Sequence, residues 1–291
     1  LTWARRNRMH AGIAFDHNMN ALFPPERYHR THPRFFPSVG GALLPRRGDR
    51  PWDWQPCFSA EGIAAEAAGN IKTYFSNHPQ ETSYSIGIND SSRYCKEDKP
   101  NVSDAYFRWA NDVVEEVLEA HPDKWFGCLA YRELSAPPSG VSLHRRIVPF
   151  RTFDRLKWAA PSSRQGDQHN TLDWLQHANH VGWYDYIYGT PYLLPRVYFH
   201  LMASYLRFGH EQGVRALYAE AYPNWGEGPK LYVALRLQWD PQQDVDALLE
   251  DWYRAAVGSD AAPYLAAYYA HWETFWTQRL SKTAWFGVPG F

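Results

Sequence analysis

Short apolar runs of strand length alternate along this chain with longer stretches in which apolar residues recur every three or four positions. Seven runs are short enough to be buried strands: His10–Phe15, Trp54–Phe58, Tyr84–Ile88, Trp125–Tyr131, Ile147–Phe150, Val181–Ile187 and Val214–Ala219. Ala64, Ala67, Ala68, Ile71 and Phe75 predict a helix capped by Ser59. It should end before His78-Pro79, because proline disfavours helical geometry in the residue before it. Phe107, Ala110, Val114, Val117 and Leu118 predict a second helix, opened by Ser103 and ended at His121-Pro122. Val197, Leu201, Ser204, Tyr205 and Phe208 predict a third, closed by Gly209 or Gly213. After Trp239 the pattern is helical alone: Asp244 to Val257, ending at Gly258, then a stretch opened by Asp260 that carries Leu265, Tyr268, Tyr269, Trp272 and Phe275.

Strand-length runs alternating with helical stretches are the pattern of a parallel sheet built from repeated β-α units. The expected fold is α/β, a TIM-type (β/α)8 barrel with its first strand missing or irregular and with C-terminal helices. Residues 1–240 would form the barrel catalytic domain, and residues 241–291 a helical extension packed on it. A doubly wound open sheet is the alternative, but no Gly-rich phosphate-binding turn follows any of the runs.

Composition narrows the partners. The chain has 291 residues, with 30 Lys and Arg against 31 Asp and Glu. No excess of positive charge exists to neutralise nucleic acid or an anionic membrane surface. No apolar run approaches the roughly 18 residues of a membrane span, so a soluble protein is expected. The chain begins at Leu1 with no signal-like n- and h-regions, so the natural start is expected to lie upstream. Cys57, Cys95 and Cys128 are few, odd in number and far apart, from which no disulfide scaffold is expected and the redox compartment stays open. Fourteen Trp within an aromatic content of 16% offer flat faces for stacking on pyranose rings, although such residues are also ordinary core material.

In a barrel of this kind the active face is made by strand ends and the loops after them. The third run ends in Asn89, Asp90, Ser91 and Ser92, an amide, a carboxylate and two hydroxyls that could equally form an Asx-turn. Glu220, at the end of the seventh run, is framed by Tyr218, Tyr222 and Trp225. An apolar wall raises a carboxyl pKa and would suit Glu220 to donate a proton. The alternative is an ion pair with a buried Arg such as Arg196 or Arg236. Asp16, His17 and Asn18, then Tyr131, Arg132 and Glu133, then Tyr184, Asp185 and Tyr186 are the other strand-end polar groups. His17 either bonds a sugar hydroxyl or is structural, and Asp185 is either a third site carboxylate or a buried acceptor for tyrosine hydroxyls. No Gly-x-Ser-x-Gly elbow and no His-Glu-x-x-His pair occurs, and His169, His177 and His180 read as surface residues, so neither a metal nor a cofactor is expected.

Three segments carry a family likeness: His32-Pro33-Arg34-Phe35-Phe36, Gln55-Pro56-Cys57-Phe58-Ser59 and Gly87-Ile88-Asn89-Asp90-Ser91-Ser92-Arg93-Tyr94-Cys95. With Leu129-Ala130-Tyr131, Trp183-Tyr184-Asp185-Tyr186 and Leu237-Gln238-Trp239-Asp240-Pro241, they resemble, in this order and over nearly the whole chain, the domain-of-unknown-function family 4838 (DUF4838). The resemblance implies a fold similar to barrel glycosidases that act on hexosaminides and glucuronides. Part of the family is grouped as glycoside hydrolase family 163, which resembles endo-acting β-N-acetylglucosaminidases of N-glycans. It further implies a carbohydrate substrate, additional domains in the full-length chain and a secreted or periplasmic setting. One departure is that Cys95 stands alone where many relatives have a small cysteine cluster, which speaks against a metal-stabilised loop there.

The function expected on these grounds is hydrolysis of a β-linked amino sugar or uronide by two carboxyl groups. Glu220 is the expected acid. Asp90 is the expected base, or the group that orients a substrate acetamido group attacking its own anomeric carbon. Asn89, His17, Tyr131, Asp185, Tyr222 and Trp225 are the expected substrate contacts. In a closed eight-stranded barrel Asp90 and Glu220 should face each other on the order of 6 to 10 Å apart. The alternative is a glycan-binding barrel that does no catalysis.

Overall fold

The structure is a computed structural model that describes residues 12–188, 195–221 and 225–284. Its contacts divide the described residues into two compact units, 12–152 with 173–182, and 153–172 with 183–284.

The first unit opens with the short helices α1 (Met19–Leu22) and α2 (Pro25–Thr31) and an antiparallel pair, β1 (Ser38–Val39) with β2 (Ala42–Leu43). Helix α3 (Ile63–Asn77), strand β3 (Ser83–Ser85), helix α4 (Val102–Ala120) and strands β4 (Trp125–Ala130) and β5 (Ile147–Thr152) follow. The three strands are parallel, with Tyr84 opposite Phe126 and Gly127 opposite Val148. Helix α3 buries Ile63, Ala67, Ala68, Ile71 and Phe75, and α4 buries Phe107, Ala110, Val113, Val114 and Val117, into one core with Ile86, Ile88 and Phe126. Both apolar faces follow the predicted period, and both helices stop at the expected His-Pro boundary.

Their starts differ from expectation. The Ser59 hydroxyl donates to Asp98 Oδ1 at 2.6 Å, and α3 begins instead after Gly62, whose φ of 82° lies in the left-handed region that favours glycine. Helix α4 is capped by Asn101, whose side chain accepts from the Asp104 N–H at 3.1 Å, and Ser103 falls inside the first turn.

The run Trp54–Phe58 is buried but forms no strand. Pro56 has no N–H to give a ladder, the Gln55 N–H donates to Arg93 O at 3.1 Å and the Cys57 N–H to Phe35 O at 2.9 Å. Of the run His10–Phe15, residues 12–15 make no strand and the rest lies outside the described residues. The segment is still held against the sheet. Ala14 N–H donates to Ser83 Oγ at 2.9 Å, His17 forms a parallel bridge with Gly87, and Phe15 stacks on Phe150 with ring centroids 4.0 Å apart. Gly87 and Gly127 permit this approach: a Cβ on Gly127 would strike the Ala14 carbonyl, and one on Gly87 the carbonyls of Phe15 and Asp16.

The absence of a disulfide expected from an odd cysteine count is overturned. Cys57 and Cys95 are bonded, Cα atoms 5.2 Å apart, and Cys128 is the buried odd thiol. The bond spans 38 positions of chain, for which loop-closure entropy corresponds to about 4 kcal/mol of stabilisation.

The division between the units falls inside helix α5 (Pro161–His177). The second unit holds β6 (Gly182–Tyr186) from Trp183 on, α6 (Phe199–Gln212), β7 (Ala216–Glu220), α7 (Lys230–Trp239), α8 (Val245–Val257) and α9 (Ala262–Thr274). Sheet order follows chain order, β3-β4-β5 in the first unit and β6-β7 in the second. The chain is therefore a mixed α/β protein. Gly213, with φ of 104°, closes α6 as a left-handed cap, whereas Gly209 sits inside the helix where any Cβ would meet the Trp183 ring. Trp183, Tyr198, Tyr205, Leu237, Leu249, Tyr269 and Trp276 share one core. The helices after Trp239 thus share a core with β6 and α6. No helix among the described residues is long and apolar enough to cross a membrane.

Gly127→Ala should cost about 1–3 kcal/mol in equilibrium unfolding, the scale of overpacking against atoms that cannot swing aside. Full retention of stability would show that the segment before His17 does not lie on β4.

Candidate functional site

At the end of β3 the chain leaves the sheet through a loop held by amides. Gln55, fully buried, donates through Nε2 to Asn89 O at 2.6 Å and Ser91 O at 2.7 Å, and its Oε1 accepts from Asn89 N–H at 3.0 Å. The Asn89 side chain in turn donates to Trp54 O at 2.9 Å and accepts from Asn20 N–H at 3.1 Å. Asn89 is thus committed to holding the loop, and only 1% of its surface is exposed. Its neighbour Asp90 points outward.

Asp90 Oδ1 lies 2.9 Å from an Arg132 guanidinium nitrogen and accepts from the Tyr131 hydroxyl at 3.2 Å. The same guanidinium donates to Ser92 Oγ at 3.3 Å and stands 5.2 Å from the centre of the Tyr131 ring. Burial pushes the Tyr131 phenol up, with the charge of Asp90 adding to it against the opposing effect of Arg132. The His17 ring lies 6.2 Å from that of Tyr131, and its Nδ1–H donates to Ile88 O. Asp90, Tyr131 and His17, three of the residues singled out from the sequence, are therefore gathered at the ends of β3 and β4. Arg132, which holds Asp90 and lies over the Tyr131 ring, has φ of 52°. A non-glycine residue in that region costs of order 1 kcal/mol and clusters at functional sites. Nothing in the sequence marks an arginine for left-handed backbone.

The second unit carries its own group. Glu220 is the last residue of β7, and its Oε1 accepts a hydrogen bond from the Tyr184 hydroxyl on β6. The strands are pinned there by Ile187 N–H donating to Glu220 O at 3.0 Å. Tyr184 is 4.9 Å from Tyr218 and 5.4 Å from Tyr186, centroid to centroid, so the carboxylate stands among three phenol rings, of which Tyr218 is exposed. Burial, then the bond and charge of Glu220, push the Tyr184 phenol up, so the shared proton stays on tyrosine. Neither foreseen arginine pairs with Glu220 among the described residues: one Arg196 nitrogen donates to both Asp154 oxygens at 2.7 Å, and Arg236 binds Gln243. Tyr222 lies outside the described residues, as does the side chain of Trp225.

Asp185 points to the opposite face of β6 from Tyr184, as strand alternation requires. It is fully buried and accepts from the N–H groups of Arg155 at 3.0 Å and Tyr186 at 2.8 Å. Burial pushes its carboxyl up against the opposing charge of Arg155. It is a buried acceptor, one of the two roles foreseen for it, served by these backbone donors and standing close enough to Tyr205 to push that phenol further up.

A pair that the sequence reading passed over sits in the loop after β7. Glu227 Oε2 and Lys230 Nζ are 2.7 Å apart, both buried, and Lys230 also donates to Arg196 O at 2.9 Å. Glu227 Oε1 has no hydrogen-bond partner among the described residues. Burial pushes the Lys230 amine down to about 7, opposed by Glu227, and pushes the Glu227 carboxyl up, opposed by Lys230. The spacing Glu-x-x-Lys was the only signal available, and on a surface turn it would look the same.

The model of the family described as "Domain of unknown function (DUF4838)" matches residues 2–270. The chain belongs to the DUF4838 family. No curated protein was found to match it. The Asp90 loop, the tyrosine-framed Glu220 and the Glu227–Lys230 pair all lie within the DUF4838 match.

Two stability measurements test this description. Arg132→Gly should be more stable than Arg132→Ala by about 1 kcal/mol, the reverse of an ordinary helix or strand position, because alanine must bear the positive φ without an ion pair in return. Equal stabilities would mean that the backbone relaxes. Lys230→Met alone should cost about 3–5 kcal/mol by stranding a buried carboxylate, and adding Glu227→Leu should recover most of it. A double variant no better than the single one would contradict the pairing.

Proposed function

We propose that this DUF4838 chain is a glycoside hydrolase of the TIM-type (β/α)8 class acting on a β-linked amino sugar, an N-acetylglucosaminide such as occurs in N-glycans, or on a uronide. Strands in chain order alternating with helices support the barrel. The observation that carries the activity is the strand-end carboxylate of Glu220, bonded by the Tyr184 hydroxyl and flanked by the exposed ring of Tyr218. One oxygen is held by the phenol, which leaves the other to carry a proton to the leaving glycosidic oxygen. Tyr218 offers a flat face on which a pyranose stacks. Asp90, held as an acceptor by Arg132 and Tyr131, steadies positive charge developing at the anomeric carbon or orients an acetamido group that attacks it. His17 and Tyr131 are substrate contacts on this reading, as are Tyr222 and Trp225. The partner is a carbohydrate, with neither nucleic acid nor membrane engaged, and further domains belong to the full-length chain. The Cys57–Cys95 disulfide supports a secreted or periplasmic setting.

The ion pair that occupies Asp90 favours a second reading, a glycan-binding module in which carboxylates only accept hydroxyl hydrogen bonds. Assays on aryl β-N-acetylglucosaminides, aryl β-glucuronides and intact N-glycans separate the two. Under the hydrolase reading Glu220→Gln and Asp90→Asn each fold normally and lose turnover by at least about a hundredfold. Tyr218→Ala chiefly raises KM, since stacking stabilises ground and transition states alike. Glycan binding without product release overturns hydrolysis, and near-native turnover in either carboxylate variant removes that residue from the mechanism.

A further inference from the structure

Away from these strand ends, and wholly inside the second unit, a cavity of about 380 Å³ lies among the start of α6 and helices α8 and α9. Such a volume accommodates a small organic molecule. One side is apolar. Leu249 and Tyr253 of α8 and Phe199 of α6 face it, and α9 presents Ala262, Ala266 and Ala270, side chains too short to fill the space. The other side is charged and organised around His200. Its Nδ1 is 2.9 Å from Glu273 Oε2 on α9, and its Nε2 is 3.1 Å from Asp246 Oδ1 on α8. Two carboxylate partners require both ring nitrogens to carry hydrogen, so the ring is an imidazolium, and neither nitrogen is left to bind a metal. The bond to Glu273 contributes most to holding it charged up to about 9, well above an ordinary histidine.

The charges at the mouth do not balance. Asp246, Glu250 and Glu273 supply three negative charges, and His200 and Arg254 supply two positive ones, of which Arg254 is already paired with Glu250. One negative charge is in excess, and it sits on the solvent-facing carboxylates, because the side chain of Glu273 is 12% exposed while those of Glu250 and Asp246 are 59% and 85% exposed. An apolar hollow beneath an acidic rim of net charge minus one is complementary to an apolar body bearing a single positive charge.

We propose that the cavity between α6, α8 and α9 is a binding site for a small organic monocation, its hydrocarbon or aromatic part resting on Tyr253, Leu249 and the alanines of α9 and its ammonium group at Asp246 and Glu250. The site is independent of Glu220 and Asp90, and its occupancy is read without any assay of hydrolysis.

The test is calorimetric titration of the whole chain with 2-phenylethylammonium, with the neutral 2-phenylethanol and the anionic phenylacetate as controls of the same shape. The ammonium compound should bind at least about tenfold more tightly than the alcohol, and the carboxylate least of all, as a single unbalanced charge at a partly exposed rim requires. Asp246→Asn with Glu250→Gln should erase the preference for the cation while leaving the alcohol's affinity unchanged. Ala266→Trp, which fills the hollow, should abolish binding of both. Should that variant fail to fold, the rim variant decides alone. Equal binding of cation and alcohol, tighter binding of phenylacetate, undiminished binding after Ala266→Trp, or no saturation by the cation up to about 10 mM would each overturn the proposal.

Discussion

The placing of Asp90 depends on one buried amide. Gln55 lies in a stretch that forms no strand, yet its side chain serves three backbone groups of the chain leaving β3, and Asn89 returns the favour to Trp54 and Asn20. An unmade hydrogen bond at such depth costs about 1–3 kcal/mol, so these bonds form together or the loop is rebuilt. The disulfide between Cys57 and Cys95 and the Asp98 carboxylate, which accepts from Phe58 N–H at 2.8 Å and Ser59 N–H at 3.2 Å, tie the far end of the same loop to the same stretch. With both ends of residues 89–98 anchored, Asp90, Ser92 and Arg132 can be presented to solvent in one arrangement while the backbone beneath them is dry.

The second unit reaches fixed geometry by a different route. Beneath β6 and β7 it buries full charges: Arg196 on Asp154, Arg155 3.3 Å from Asp167 and 3.7 Å over the Trp183 ring, and Lys230 on Glu227. Buried pairs contribute little net stability against hydrophobic replacements of the same volume. Each does accept only one arrangement of its neighbours. Arg196 also donates to the carbonyls of Tyr186 and Tyr188, so the backbone just beyond Tyr184 is fixed by a charge anchored on Asp154. The phenol that holds Glu220 therefore inherits its place from a pair of buried charges, Arg196 and Asp154.

The helical faces, five of the seven strands and the strand-end position of Asp90 and Glu220 were legible in the sequence, because each depends on local period and on the rule that polar groups collect where apolar runs stop. The misreadings share a cause. Trp54–Phe58 looks like a strand because burial and strand formation leave the same apolar signature, and only Pro56 hinted otherwise. Ser59 and Ser103 are acceptable caps by residue type, but a partner distant in sequence, Asp98, claims the first, and Asn101 outcompetes the second. The disulfide was missed because cysteine parity speaks of the whole set and not of one pair. Asn89 and Asp185 were polar residues at strand ends, as the rule demands, yet their side chains face inward, and facing is set by register, which a one-residue shift reverses.

Arg132 and Glu227 show what such reasoning lacks in kind. Their significance lies in unfavourable states, a left-handed arginine and a buried carboxyl with one oxygen unmet among the described residues, and local sequence patterns describe favourable ones. Strain of this sort persists only where surrounding contacts overdetermine it. For Arg132 those contacts are Asp90, Ser92 and the Tyr131 ring, all part of the candidate site, so the residues that impose the strain are the ones that would use the resulting geometry. For Glu227 they are Lys230 and, through it, the Arg196 carbonyl. The buried lysine therefore fixes Glu227 through one carboxylate oxygen, and the pair accepts a single arrangement of the backbone that carries it.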